Sequence, residues 1–102
     1  MDYESYANVM KALSDPKRVK IVEMLSYKAL CACDILEQFD FTQPTLSHHI
    51  KVLVAAGLVT VEKTGTWHYY YLNENKINQL ILDTIKLTSL NMTVIREEVE
   101  KG

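Results

Sequence analysis

The sequence predicts a mostly α-helical domain that carries one β-hairpin. Apolar residues recur at the three- and four-residue spacing of helices from residue 3 to about residue 56. After Gly57 the spacing changes to the two-residue alternation of strands, which continues to Leu72. Helical spacing resumes at about Glu74 and extends to about residue 95. Since compact domains usually run to about 100–150 residues, we expect residues 1–102 to form a single domain.

Four helices are predicted before the hairpin. The first covers residues 3–13, and the second covers residues 16–25 because Ser14-Asp15-Pro16 supplies a capping side chain followed by a proline. A short third helix covers residues 32–39, and the fourth begins at residue 42 or 43 and ends before Gly57. The apolar residues expected on the inner faces of these helices are Tyr6, Val9, Met10, Leu13, Val19, Ile21, Val22, Leu25, Ile35, Leu36, Phe39, Leu46, Ile50, Leu53 and Val54.

The second half of the chain predicts a hairpin and a long final helix. Strands at residues 58–63 and 67–72 are joined by a turn at 64–66, and alternation places Tyr70 on the face opposite Tyr69 and Tyr71. The tyrosines are therefore expected to pack in the core and at the surface rather than to stack on bases. The helix at 74–95 has two apolar faces, and a polar tail follows at 96–102. Those faces hold Ile77, Leu80, Ile81 and Ile85, and then Leu82, Leu87, Leu90 and Met92. Two-sided burial of this kind fits a dimer interface formed with the first helix.

Composition narrows the class of protein. The chain is 48% hydrophobic and 24% charged, as in ordinary globular domains, and it has no uncharged apolar run of the roughly 20 residues that a bilayer requires. Its acidic N-terminus differs from the basic start of a signal peptide. We therefore expect a soluble, cytoplasmic protein without a membrane partner. So short a chain leaves little room for a catalytic cleft, and no base lies near a cysteine, so a small thiol-dependent enzyme is the least favoured class.

A short helix, a tight turn, a longer helix and then a hairpin is the element order of a winged helix-turn-helix. In such a domain the fourth helix enters the major groove of DNA and the hairpin lies along the neighbouring backbone. The net charge of −2 implies binding by fit more than by bulk charge. The expected DNA contacts are Gln43, Thr45, Ser47, His48, His49 and Lys51 on the helix, and Lys63, Thr64 and Thr66 at the hairpin tip. For the two histidines a surface or phosphate-contacting role is favoured over metal ligation.

The two cysteines of the chain lie in the tripeptide Cys31-Ala32-Cys33. A disulfide between them would close too small a loop to stabilise much, so both are expected to be reduced. Cys31 falls at the N-cap of the third helix, where Asp34 could complete a capping box and where the helix terminus favours thiolate. Soft thiolates suit trivalent arsenic or antimony. On a regular helix the two side chains would point about 200° apart, so joint ligation is expected to distort the first turn.

In its helix-turn-helix and cysteine motifs, the chain resembles the ArsR/SmtB family of dimeric metal- and metalloid-sensing repressors. The resemblance rests on residues 13–22 in the second helix, residues 42–53 in the recognition helix and residues 56–59 at its exit. Cys31-Ala32-Cys33-Asp34 resembles the thiolate site of the arsenic-responsive branch. The resemblance implies a homodimer that binds double-stranded operator DNA and releases it when trivalent arsenic or antimony binds Cys31 and Cys33. It implies no required cofactor.

One departure from the family pattern leaves the effector open. Some members supply a third cysteine, but this chain has only Cys31 and Cys33, which leaves water, hydroxide or a small thiol as the third ligand. Organoarsenicals, antimony or a redox signal therefore remain candidates, and a repressor that senses oxidants or reactive sulfur is the alternative function. The family's other ligand site, in the C-terminal helix, needs histidine. None occurs between residues 73 and 102, so a zinc site of that type is not expected.

Overall fold

The computed structural model describes residues 1–89. The elements follow in the order α1 (Tyr3–Ala12), α2 (Pro16–Leu25), β1 (Leu30–Cys31), α3 (Ala32–Leu36), α4 (Gln43–Ala55), β2 (Val59–Thr64), β3 (Trp67–Leu72) and α5 (Glu74–Thr88). The prediction of a mostly helical chain with a hairpin between the fourth helix and the last is confirmed. The predicted extension of the last helix to residue 95, with Leu90 and Met92, and the polar tail lie outside the described residues.

The helix ends follow local capping chemistry. Asp15 is the N-cap of α2, and its carboxylate accepts a hydrogen bond from the Lys17 backbone N–H at 2.8 Å, while Pro16 takes the first helical position. Gly57 follows α4 with a φ of +81°, the left-handed conformation that glycine adopts at low cost. α3 ends at Leu36, earlier than predicted. The reason is that the backbone N–H groups of Gln38 and Phe39 bond to carbonyls three residues back and tighten the chain into a turn.

The sheet has three strands in the order β1-β3-β2, whereas the sequence predicted only the hairpin. The additional strand, β1, pairs antiparallel with β3, so that Leu30 faces Tyr70 and Cys31 faces Tyr69. A strand of two residues is too short to show alternation, which is why the sequence pattern did not reveal it. This pairing fixes the start of α3 against the hairpin.

The core lies between the helices and the inner face of the sheet. Its fully buried side chains are Ile21, Ile35, Leu46, Leu53 and Leu58. Tyr70 is buried while Tyr69 and Tyr71 are exposed, which confirms the alternation predicted for β3. Three side chains predicted to be inward, Met10, Val19 and Val54, are instead exposed. Each stands one or two positions from a buried residue on its helix, and that offset turns it about 100–200° away from the core.

The last helix is buried on one side only. Ile77 and Leu80 pack against the core. A hydrogen bond between the hydroxyls of Tyr6 and Thr84 (2.6 Å) and one from Lys76 Nζ to the Ser5 hydroxyl (3.2 Å) join α5 to α1. Four further apolar side chains of α5 are about half exposed, although the sequence predicted burial: Ile81, Leu82, Ile85 and Leu87. Within a single chain, this face of α5 has no covering element among residues 1–89. None of the described helices has the length and apolar content to span a bilayer.

Candidate DNA-binding and thiol site

Cys31 belongs to two elements at once, as the last residue of β1 and the N-cap of α3. Its backbone is extended, and its sulfur accepts a hydrogen bond from the Asp34 N–H at 3.4 Å. In return the Asp34 carboxylate accepts a hydrogen bond from the Cys31 N–H, also at 3.4 Å. The capping box predicted from the three-residue spacing is therefore confirmed, with sulfur in the place of the usual hydroxyl.

The structure places the sulfurs of Cys31 and Cys33 in disulfide contact, with their Cα atoms 5.4 Å apart. The expectation of two separate reduced thiols is therefore wrong for the state described. The expectation of a distorted helical turn is also wrong. The angle of about 200° applies only when both residues are helical, whereas Cys31 precedes α3 with extended backbone. Both sulfurs can thus meet at one point with the helix intact.

A carboxylate completes the cluster around the two sulfurs. The Sγ atoms of Cys31 and Cys33 and a carboxylate oxygen of Asp34 all lie within 4.8 Å of one another. Two soft sulfur donors suit a thiophilic centre, whereas the carboxylate is a hard donor that already caps a backbone N–H. The arrangement therefore offers two sulfur ligands on one side of a centre and leaves its other side open.

A cavity of about 290 Å³ opens beside the sulfurs. Its walls come from the α3 N-terminus, the first residue of α4 and the hairpin, and consist of Cys31, Ala32, Cys33, Gln43, Thr66, Trp67, His68 and Tyr70. Gln43 and Thr66 are two of the residues expected to contact DNA. His68 is exposed on β3. One cavity therefore borders the sulfur pair, the start of the recognition helix and the hairpin tip.

All the predicted DNA contacts except one occupy accessible positions. Gln43, Ser47, His48 and Lys51 are exposed on α4, Thr45 is partly exposed, and Lys63, Thr64 and Thr66 are exposed at the hairpin. The exception is His49, which is buried and cannot present its ring to DNA. The pairing of His48 with His49 as two surface residues is therefore wrong, since His49 lies with Leu46, Ile50 and Leu53 on the inner face of α4.

His49 is held by Arg18, a residue that the sequence analysis did not single out. Nη1 of Arg18 lies 3.2 Å from Nδ1 of His49, and because a guanidinium only donates, the ring accepts there in its neutral form. Burial lowers the pKa of His49, and the nearby Asp15 carboxylate opposes that shift. Arg18 also donates from Nε to the Ala12 carbonyl at 2.6 Å. One side chain thus connects the end of α1, α2 and the recognition helix.

The surface beside the start of α4 is basic and aromatic, which the sequence analysis also did not anticipate. The rings of Phe39 and Phe41 stack with centroids 4.4 Å apart. Lys20 places its ammonium 4.7 Å from the Phe39 ring, and Lys17 lies 5.9 Å from the Phe41 ring. These contacts hold two cations next to the turn that precedes the recognition helix.

A short helix, a turn, a longer helix with an exposed polar face and an antiparallel hairpin define a winged helix-turn-helix protein, here with a sulfur pair at the start of α3. Residues 15–61 match the family model described as "Bacterial regulatory protein, arsR family". The chain is 41% identical over 102 residues to the arsenical resistance operon repressor of Staphylococcus aureus, covering 100% of this chain and 98% of that protein. It belongs to the arsR family of bacterial regulatory proteins.

Further comparisons agree with this assignment. The arsenical resistance operon repressor of Staphylococcus xylosus is 49% identical over 80 residues, which are 78% of this chain and 77% of that protein. An ArsR-like transcriptional regulator from Rhodococcus sp. RHA1 superposes with a TM-score of 0.76 at 22% identity, covering 97% of this chain and 92% of that one, which shows the fold. The family and these relatives are transcriptional regulators, and the resemblance drawn from the sequence motifs is confirmed.

Proposed function

We propose that this protein is a metalloid-responsive transcriptional repressor. It binds operator DNA as a homodimer and releases the DNA when trivalent arsenic or antimony binds Cys31 and Cys33. The observation that carries the proposal is the shared cavity, because the sulfur pair, Gln43 and Thr66 form walls of the same space. The names of the two staphylococcal relatives point the same way. A repressor acts where the DNA is, so we assign it to the cytoplasm.

The DNA-binding part of the proposal rests on exposed polar side chains that project from a buried framework. Leu46 and Leu53 anchor α4 in the core, while Gln43, Ser47 and His48 face solvent at its first turns, where they can reach base edges in a major groove. The hairpin tip supplies phosphate contacts. The remaining predicted contacts are Thr45 and Lys51 on α4 and Lys63, Thr64 and Thr66 at the tip.

The proposed dimer rests on the uncovered apolar face of α5. A half-exposed row of large apolar side chains is typical of a surface that another chain covers. Ile81, Leu82 and Ile85 form most of this row, and α1 lies beside it. A twofold axis through α1 and α5 would bury the row against its copy and present two recognition helices to a palindromic site.

The thiol chemistry starts from the paired sulfurs. A low-molecular-weight thiol first reduces the Cys31–Cys33 disulfide: two such thiols give up two electrons and two protons and leave as their own disulfide. Arsenous acid then exchanges two hydroxyl groups for the two thiols, forming two As–S bonds and releasing two water molecules. Arsenic stays trivalent throughout. Its third ligand is the remaining hydroxyl group or a small thiol that replaces it.

Coupling between the two sites follows from their common cavity. A centre bound to Cys31 and Cys33 occupies space next to Gln43 and Thr66. Binding of the ligand and binding of DNA both depend on how the start of α4 and the hairpin tip are placed, so the two binding events compete. By linkage the competition is reciprocal, so bound operator lowers metalloid affinity by the same factor. No distortion of α3 is required, because the sulfurs already converge.

The sulfur contact itself favours a second candidate, a repressor that senses oxidants or reactive sulfur. In that case hydrogen peroxide removes two electrons and two protons from the reduced thiols, forms the Cys31–Cys33 disulfide seen here and leaves as two water molecules. A thiol reductant returns the protein to its starting state. The two candidates share the fold and the DNA surface and differ only in the reagent that occupies or oxidises the sulfurs.

Operator release under reducing conditions tests the proposal. A labelled duplex selected from a random library by the reduced protein is followed by fluorescence anisotropy during titration with arsenite, antimonite, zinc, cadmium or peroxide. We expect release by arsenite or antimonite, with the response lost and DNA binding kept in Cys33→Ser. Ala32→Ser leaves both sulfurs in place and should respond as the native protein does. Release by peroxide alone would favour the redox candidate, and release by none of these would refute both.

A further inference from the structure

We propose that one surface of α2 forms a second DNA contact, which binds the phosphate backbone at the edge of the groove that α4 enters. The surface consists of Lys17 and Lys20 with the stacked rings of Phe39 and Phe41, and we call it the α2 basic surface. The inference deepens the proposed function and rests on it, because it adds operator phosphates to the contacts of the same DNA-bound repressor.

Positive charge is concentrated around α2 although the chain as a whole is acidic. The net charge is −2, yet residues 11–28 hold five basic and two acidic side chains. Arg18 is largely buried and forms a salt bridge of 3.7 Å with Asp15. Lys17 and Lys20 are exposed to solvent. These two lysines are therefore the cations that α2 presents to a partner.

Two aromatic rings and a backbone carbonyl hold the ammonium groups in place. Nζ of Lys20 lies 4.7 Å from the Phe39 ring centroid and donates a hydrogen bond to the Gln38 carbonyl at 2.9 Å. Nζ of Lys17 lies 5.9 Å from the Phe41 ring centroid. An ammonium group has three N–H donors, so Lys20 keeps two of them for phosphate oxygens. Cations that are already held lose less side-chain freedom on binding, which favours the complex.

An open cleft of about 460 Å³ lies between the two lysines and the turn that connects α3 to α4. Among the described residues that line this cleft, Asp40 is the one carboxylate, so two cations face a single anion. Double-stranded DNA carries one negative charge per roughly 1.7 Å of its axis. The charge of the cleft is therefore complementary to a phosphate backbone.

The α2 basic surface is attached to the recognition helix. Phe41 directly precedes Thr42, the N-cap of α4, and its ring packs against the His49 ring with centroids 5.4 Å apart. Arg18, which follows Lys17 on α2, contacts the same histidine at 3.2 Å. When the first turn of α4 meets base edges, the lysines are carried to the edge of the major groove, where the phosphates run. Contacts of this kind position a protein on DNA without reading its sequence.

The salt dependence of operator binding tests for these phosphate contacts. The affinity of the full, reduced chain for a labelled duplex that it selects from a random library is measured by fluorescence anisotropy between about 0.05 M and about 0.3 M salt. The logarithm of the binding constant falls with the logarithm of the salt concentration, by about 0.9 for each phosphate contact. The double variant Lys17→Gln/Lys20→Gln should reduce this slope by about 3.6, because a dimer would lose four contacts.

Two control variants separate a local contact from overall charge. Lys28→Gln removes one positive charge from an exposed position beyond the opposite end of α2. The ten residues of α2 span about 15 Å, more than the Debye length of about 10 Å at 0.1 M salt, so this variant should keep the native slope. Lys17→Arg/Lys20→Arg retains both charges and should also keep the slope. A variant that is only less stable lowers the fraction of active protein and leaves the slope unchanged.

The outcomes separate the inference from the proposed function. A native slope in Lys17→Gln/Lys20→Gln overturns the phosphate contact, while operator binding by the native chain leaves the repressor standing. An equal fall per charge removed in Lys28→Gln also overturns it, because overall charge would then be the cause. If the double variant does not fold, Lys17→Gln and Lys20→Gln are measured singly, and each should reduce the slope by about 1.8. Failure of the native chain to bind any duplex overturns the proposed function together with the inference.

Discussion

Acidification should weaken the attachment of the recognition helix to α2, because His49 is buried in its neutral form. Burial lowers the pKa of His49 below its ordinary value of about 6.5, at which the unfolded chain binds the proton. Between these two pKa values the unfolded state carries more protons, so the free energy of unfolding falls as the pH falls through that window. Above about pH 6.5 both states are neutral and the full contribution of His49 is present.

The size of that contribution can be read from its contacts. The hydrogen bond between His49 and Arg18, at 3.2 Å, has a charged donor, and such bonds contribute about 1.5–3 kcal/mol. The imidazole also packs against the Phe41 ring, with centroids 5.4 Å apart. Arg18 keeps its bond to the Ala12 carbonyl when the histidine is removed, which limits the loss. We therefore expect His49→Ala to lower the free energy of unfolding by about 2–3 kcal/mol at pH 7.5.

Urea unfolding at pH 7.5 and pH 5.5 measures both effects, at one fixed protein concentration because dimerisation would shift the apparent stability. The native chain should lose more stability on acidification than His49→Ala does, since the variant lacks the titrating ring. His48→Ala, which changes the exposed neighbour, is the matched control and should lie within about 0.5 kcal/mol of the native chain. The reasoning is refuted if His49→Ala behaves like His48→Ala, or if its stability depends on pH as strongly as that of the native chain.

Three further substitutions give separate tests. Cys31→Ser should melt at the same temperature as the native protein, because a hydroxyl accepts the Asp34 N–H as the sulfur does, yet lose arsenite-driven operator release; a large drop in melting temperature would contradict the capping role. Gln43→Ala should weaken operator binding about tenfold in an anisotropy titration without changing thermal stability, and unaltered affinity would remove Gln43 from the DNA surface. Gly57→Ala should cost about 1–2 kcal/mol in urea unfolding. Its φ of +81° is the cause, since the atoms nearest to an added Cβ belong to the flexible Lys76 side chain, at the ordinary contact distance of 3.5 Å. An unchanged midpoint would contradict this account.

Much of the fold could be predicted because its signals are local. The adjacent residues Asp15 and Pro16 start α2, and Gly57 ends α4 through its own backbone conformation. The capping box of Cys31 and Asp34 spans three residues, a distance over which helix geometry is fixed. Along β3 the two-residue repeat of a strand separates the buried Tyr70 from the exposed Tyr69 and Tyr71. In each case the information lies within one turn or one strand.

The features that sequence analysis missed depend on residues far apart in the chain. Arg18 and His49 are 31 positions apart, and their contact exists only once α2 packs on α4. The position of His49 on the apolar stripe three residues after Leu46 was the available signal, but its polar side chain suggested a surface. The pairing of β1 with β3 is equally non-local, and through it Cys31 and the hairpin border one cavity. The two sulfurs converge because Cys31 has an extended backbone, and the spacing of the cysteines in the sequence does not reveal that conformation.

The placement of Cys31 at a junction between strand and helix has a consequence for how this regulator evolves. Serine and cysteine codons differ by a single nucleotide, and a hydroxyl can serve the helix cap as well as a sulfur does. A lineage that no longer meets the effector can therefore lose inducibility in one mutational step while its folded, DNA-binding scaffold persists. The reverse mutation restores the sensor without any need to rebuild the domain. Inducibility in this protein is thus a trait that selection can remove and recover independently of repression.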